Sequence, residues 1–343
     1  MKKHISYPKI QQFRNIVANI NREITYTGLD EDGNAVYDPS IKKPTLTFRG
    51  TVKLHGTNAS VCFNSKDGFW IQSRQNIITV EIDNAGFAFF AESYKLELCL
   101  LIDKIINKHQ IDTNEFTVAI YGEWAGKGIQ KGVGISELDK AFYIFGVKVS
   151  KPQDEDFNSY WVNSSELRNE DCRIFNIEDY ETYSVDVDFN MPQLAQNKFS
   201  EITEQVEKEC PVSKAFGIEK GLGEGVVWSI QYKDNVHRFK VKGDKHSVTK
   251  VKKLASIDVE KLESIQEFIN YSVTENRFNQ AIENVFGKED LDTKKLGDLL
   301  RWVVKDIMSE EMDTMKKNNL EPKDVNKYIS NKTREMFFEK MSF

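Results

Sequence analysis

At 343 residues the chain exceeds the usual size of one domain, and its 40% hydrophobic and 29% charged residues with only seven prolines exclude a disordered or fibrous protein. A formal net charge of −6 excludes a polycation that holds nucleic acid by bulk attraction, so any nucleic-acid site has to be a local basic patch. Cys62, Cys99, Cys172 and Cys210 show no C-x-x-C spacing, which argues against a disulfide framework or zinc site and for a reducing, cytoplasmic setting.

The opening MKKHISYPKIQQF is basic but has no apolar core, and no stretch approaches the roughly 18–20 apolar residues of a membrane helix. Neither secretion nor a membrane is expected. Ile10, Phe13, Ile16, Val17 and Ile20 recur at helical spacing and predict a short amphipathic helix over 10–20. Residues 26–43 are polar, with Asp32-Gly33 and Pro39, and read as a hairpin or long loop.

From Thr45 the period changes to two. LTFRGTVKL (46–54) predicts a strand, and NASVCF (58–63) and FWIQS (69–73), joined at Lys66, Asp67 and Gly68, predict a β-hairpin. Residues 86–108 are apolar and free of helix breakers, as in one buried helix. Further strands are expected at 116–122, 141–149, 224–232 and 236–242. After Val251 the pattern is helical throughout, with stripes at Leu262, Ile265 and Ile269, at Phe278, Ile282 and Val285, and at Leu296, Leu299, Leu300, Val303, Val304 and Ile307. A last helix is expected from Pro322, in its first turn, to Met341. The fold class is therefore α+β: a mostly antiparallel-sheet domain over 1–247, then a small all-α domain over 248–343.

The segment Lys53-Leu54-His55-Gly56-Thr57-Asn58 ends a predicted strand. A lysine there can serve as a nucleophile only once its amine is unprotonated, which burial and neighbouring cations favour. Glu123 in YGEWAG and Glu224 in GEG put carboxylates at strand ends. In RFKVK, Lys240 and Lys242 share one strand face, and two parallel cations suit a polyphosphate. Taken singly, each has a plainer reading as solvated surface charge. The glycines at 126, 128, 221, 223 and 225 match neither G-x-x-x-x-G-K-[ST] nor a G-x-G-x-x-G that opens a helix, so a P-loop or Rossmann enzyme is not indicated. The basic tract 242–253 reads as a solvated linker in preference to a nucleic-acid contact.

Together these segments resemble the covalent nucleotidyltransferase superfamily, and within it the RNA ligase 2 family with its kinetoplastid RNA-editing ligases. KLHGTN resembles the nucleotidyl-lysine motif, with histidine where DNA ligases and capping enzymes carry aspartate. YGEWAGKGIQKG (121–132), FYIFGV (142–147), GEGVVW and FKVK are similar to the later motifs, in the family's order. Val52 and Lys127 depart from residues that relatives carry there.

The resemblance implies an adenylyltransferase domain and ATP-dependent joining of RNA 3′-OH and 5′-phosphate ends, at nicks in duplexes; a monomer is the default expectation. Lys53 would carry AMP covalently, Glu123 would bind the ribose hydroxyls and Phe145 would stack on adenine. Arg74 would contact nucleotide or RNA phosphate, Glu224 would hold Mg²⁺ or Mn²⁺, and Lys240 and Lys242 would hold the α-phosphate. Leu54, His55 and Asn58 would lie beside the adenylate. Two rivals share the fold: a non-catalytic RNA-end-binding protein, and a ligase preferring nicked DNA or RNA:DNA hybrid.

Overall fold

The computed structural model describes residues 2–151, 159–243, 259–287 and 289–341. The chain divides into two compact units: Met1–Ile16, Leu46–Val187 and Asn197–Leu254 form one, and Val17–Thr45, Asp188–Gln196 and Ala255–Phe343 the other. The expected boundary at 247/248 and most of the basic tract 242–253 lie outside the described residues. Two earlier stretches, 17–45 and 188–196, group with the C-terminal helices.

The chain begins as an extended strap, then forms α1 (Phe13–Thr25), a hairpin of β1 (Tyr26–Leu29) and β2 (Ala35–Tyr37), and β3 (Thr45–Lys53). The helix starts three residues later than its periodicity suggested, so Ile10 lies in the strap while Phe13, Ile16 and Ile20 are buried. There follow β4 (Thr57–Asn64), β5 (Gly68–Ser73), β6 (Ile77–Ile78), α2 (Phe87–Ser93), α3 (Lys95–His109), β7 (Thr117–Ala125) and β8 (Ala141–Ser150). The expected helix at 86–108 is two, broken at Tyr94, which takes φ −112° and ψ 31° and tilts its ring onto Phe90. No glycine or proline marks that break.

Beyond it come β9 (Ser159–Val162), β10 (Ile174–Asn176), β11 (Thr182–Asp188), α4 (Ala195–Lys208), α5 (Pro211–Ala215), β12 (Gly225–Tyr232) and β13 (Asn235–Lys242). A seven-stranded sheet runs β10-β8-β7-β4-β5-β6 with β9 also on β8, and a four-stranded sheet runs β11-β3-β12-β13. In the large sheet pairing is antiparallel apart from β10 on β8, and β3, β12 and β13 pair antiparallel, as an α+β domain built on hairpins requires. One face of the large sheet buries Val61, Ile71, Val118, Ile120 and Ile144 against α2 and α3. One face of the small sheet buries Phe48, Trp228 and Phe239 in an aromatic cluster with Phe13 and Phe199. Alternation then dictates that the other face of β3, β12 and β13 carries the polar residues.

The second unit packs α6 (Val259–Ser272), α7 (Glu275–Phe286), α8 (Leu296–Glu310), α9 (Met312–Lys317) and α10 (Pro322–Met341) around Leu262, Ile265, Ile269, Phe278, Leu299, Val303, Ile307 and Phe337. On α7 the innermost positions are Phe278, Ala281 and Phe286, with Ile282 and Val285 half-buried beside them. Thr274 caps that helix by accepting from Arg277 N at 3.3 Å. Among the described residues no helix is long and apolar enough to cross a membrane.

Candidate active site

Three strands of the small sheet lay out a grid. Gly225 at the start of β12 pairs with Lys53 on one side and Lys242 on the other; Val227 pairs with Thr51 and Lys240; Ser229 pairs with Arg49 and Arg238. Directly paired residues point to the same face, so the glycine leaves a gap between two lysines. All of these residues except Arg49 and Gly225 line one cavity of about 500 Å³.

The opposite wall comes from the large sheet. Asn58 pairs with Glu123, and Glu123 with Tyr143, and all three line the same cavity. The Leu54-His55-Gly56 turn links the two walls directly. Gly56 cannot be replaced there, since an added Cβ would sit 2.4 Å from the Trp124 carbonyl oxygen, and its N–H donates to Glu123 Oε1 at 2.9 Å.

Glu224, only 2% exposed, sits where the strands converge. Lys53 Nζ lies 2.5 Å from its Oε2, Lys242 Nζ 2.6 Å from its Oε1, and His55 Nδ1 3.4 Å from Oε2. Burial alone would raise the Glu224 pKa, but Lys53 and Lys242 outweigh it and hold the carboxyl below its ordinary range. Glu123 goes the other way: burial dominates the attraction of Lys53 and pushes it up to about 7. Desolvation and the charges of Lys53 and Lys242 lower the pKa of Lys240.

Phe145 owes its position to a bulge. Phe142, Ile144, Val147 and Val149 all join the helix-covered core, although 144 and 147 differ in parity. The β7–β8 register slips between Tyr121 and Gly122, which pair with Gly146 and Ile144 and leave Phe145 as the extra residue. Its ring therefore leaves the core and lines the cavity, edge-on to Tyr7 at 5.2 Å between centroids.

The structure thus brings together all ten expected site residues, with Leu54 nearly buried and Arg74 exposed. The sequence reading missed Tyr7, Pro8, Lys9 and Ile10, which also line the cavity. They belong to the strap, tied at one end by Gln72 to both backbone groups of Ile5 and at the other by Gln11 N to the Arg238 carbonyl. Arg238 was missed too, although the alternation that selects Lys240 and Lys242 also selects it.

The carboxylate of the cavity that could contribute to a divalent-cation site is Glu224, whose two oxygens here face Lys53 and Lys242. Among the described residues no cluster of three or more His, Cys, Asp or Glu could cage a metal, but one buried carboxylate with two oxygens is what such an ion takes when phosphates supply the remaining ligands.

The RNA ligase family model matches residues 46–242, more than half of the chain. No curated protein matches. Structures similar to part of the chain include Naegleria gruberi RNA ligase with PPi, at 14% identity and TM-score 0.43, and a point mutant of it with ATP and Mn, at 15% and 0.43. A further mutant with AMP and Mn stands at 14% and 0.41. Each covers 71% of this chain and 57% of its own, so the chain spans little more than half the length of those proteins. Because the family model runs over more than half of the sequence and takes in every expected site residue from Lys53 to Lys242, the chain belongs to the RNA ligase family.

Proposed function

We propose that the protein is an ATP-dependent RNA ligase that joins RNA 3′-OH and 5′-phosphate ends, preferentially at nicks in duplexes, acting as a cytoplasmic monomer in RNA repair. The observation that carries this reading is the Lys53–Glu224–Lys242 cluster at one end of a cavity that also holds Glu123 and Phe145. Lys53 Nζ attacks the α-phosphorus of ATP; a P–N bond forms, the bond to pyrophosphate breaks, and the amine sheds a proton. Lys240 and Lys242 stabilise the charge that builds on the phosphate oxygens. Glu123 keeps its second oxygen for the ribose hydroxyls while the first holds Gly56, and Phe145 stacks on adenine.

A Mg²⁺ or Mn²⁺ ion held by Glu224 would neutralise phosphate charge when bound. In the second step the RNA 5′-phosphate takes AMP from Lys53, with His55, Asn58 and Arg74 at the cavity wall to receive it. In the third, the 3′-OH attacks that phosphate and AMP leaves.

The test is incubation with α-labelled ATP and Mg²⁺ after pyrophosphate treatment to strip any bound AMP, followed by denaturing electrophoresis beside Lys53→Ala. Label retained on the wild type and absent from the variant is expected. No label on the wild type overturns the reading in favour of a non-catalytic RNA-end-binding protein. Nicked duplexes differing only in 2′-OH content test the substrate, and a preference for DNA on both sides of the nick would overturn the RNA assignment.

A further inference from the structure

Arg238 is a half-buried cation that the adenylation chemistry does not use. Its guanidinium carbon lies 3.8 Å from the centre of the Trp161 ring and 5.8 Å from that of Tyr7, and it lines the cavity. Stacking on an aromatic face fixes the plane of the guanidinium but engages none of its five N–H donors. Among the described residues its guanidinium makes ring contacts, with no ion pair and no side-chain hydrogen bond. Burial accordingly depresses its pKa. A half-buried guanidinium that lines the cavity can meet a bound ligand with donors that no protein group uses.

Position within the grid indicates which part of a ligand does so. Lys53 and Lys242 flank Gly225 at one end of the strands, and Arg238 lies four residues back along β13, about 13 Å at the strand rise of roughly 3.3 Å per residue. Between the two ends the cavity is lined by the Thr51–Val227–Lys240 row, and near Arg238 by Tyr7 and Phe145, the aromatic surroundings a planar ring takes. The cationic end suits phosphates; the aromatic end suits the base.

We propose that Arg238 reads the nucleobase, donating from its stacked guanidinium to a ring-nitrogen acceptor on the edge of the purine, and so acts as a specificity-determining residue for the nucleotide. The inference rests on the ligase reading above and adds to it a base-recognition group outside the lysines and carboxylates. An arginine only donates, so it discriminates among bases by where they carry acceptors.

The experiment measures KM and kcat for auto-adenylation of the full chain with ATP and with the analogues whose ring nitrogen 1, 3 or 7 is replaced by CH. Wild type is compared with Arg238→Met, which keeps length and apolar contact, and Arg238→Lys, which keeps charge but loses the planar fork. Loss of one charge-assisted hydrogen bond predicts a KM for ATP raised about 10- to 100-fold in both variants, with kcat within about threefold. One analogue should show a similar loss on wild type and no further loss on the variants. If all three analogues lose the same factor on wild type and variants, or if KM for ATP is unchanged, the proposal is overturned while the ligase reading stands. Failure of the wild type to adenylate with any nucleotide overturns the ligase reading and the proposal with it. Thermal melting identifies a misfolded Arg238→Met, in which case Arg238→Lys decides.

Discussion

Glu123 and Glu224 line one cavity, yet their surroundings push them in opposite directions. Glu224 has a lysine on each oxygen, so its charge is held in place. Glu123 has burial outweighing Lys53, and its carboxyl titrates at about 7. Between its ordinary value of 4.5 and about 7 the folded chain binds a proton that the unfolded chain has released. Stability contributed by this group therefore falls as pH rises through that window and stays low above it. Glu123→Gln is neutral throughout and lacks this slope. The expected outcome is a melting temperature that gains on the wild type as pH goes from 5 to 8; curves that stay parallel would refute a raised Glu123 pKa.

At the scale of elements, the site depends on how closely β12 and β13 approach at the Lys53–Lys242 row. Gly225 has φ +148°, and a Cβ there would sit 2.1 Å from the Val241 carbonyl oxygen, which is backbone and cannot turn aside. Gly225→Ala therefore combines a strained dihedral with a forced separation of the strands, and is expected to cost about 2–5 kcal/mol. Since Lys53 and Lys242 are its pair partners, auto-adenylation should fall at least 100-fold while wild-type protein under the same urea titration stays folded. Near-normal labelling would show that the strand spacing is not what sets the lysines. This grid was legible in the sequence because period-two alternation puts Lys240 and Lys242 on one face and Phe239 on the other. The bulge at Phe145 was not, since a parity slip between Ile144 and Val147 disappears in an unbroken apolar run. The strap at residues 2–12 has no period at all: its order comes from bonds to Gln72 and β13, more than 60 residues away.

For the whole molecule, the switch of period from two to 3.6 announced a sheet-rich and a helical unit, each with its own core. That 17–45 and 188–196 group with the C-terminal helices was beyond local pattern, because such grouping depends on contacts far apart in sequence. Charge is distributed just as unevenly. The chain carries a net −6, whereas its cavity is lined by six cations, Lys9, Lys53, Arg74, Arg238, Lys240 and Lys242, against Glu123, Glu178 and Glu224. Glu123 is partly neutral near pH 7, which strengthens the imbalance. An acidic protein with a cationic cavity should attract phosphates only where they enter it, since the negative charges outside repel a polyanion and salt screens both over roughly 10 Å at 0.1 M. Raising NaCl from 50 to 500 mM should therefore raise KM for ATP several-fold. At 150 mM salt, an RNA with a 5′-hydroxyl should compete much more weakly in a binding assay than the same strand with a 5′-phosphate. Equal competition by both strands, and by heparin, would mean that the chain holds nucleic acid over a broad surface and that the cavity does not select the phosphorylated end.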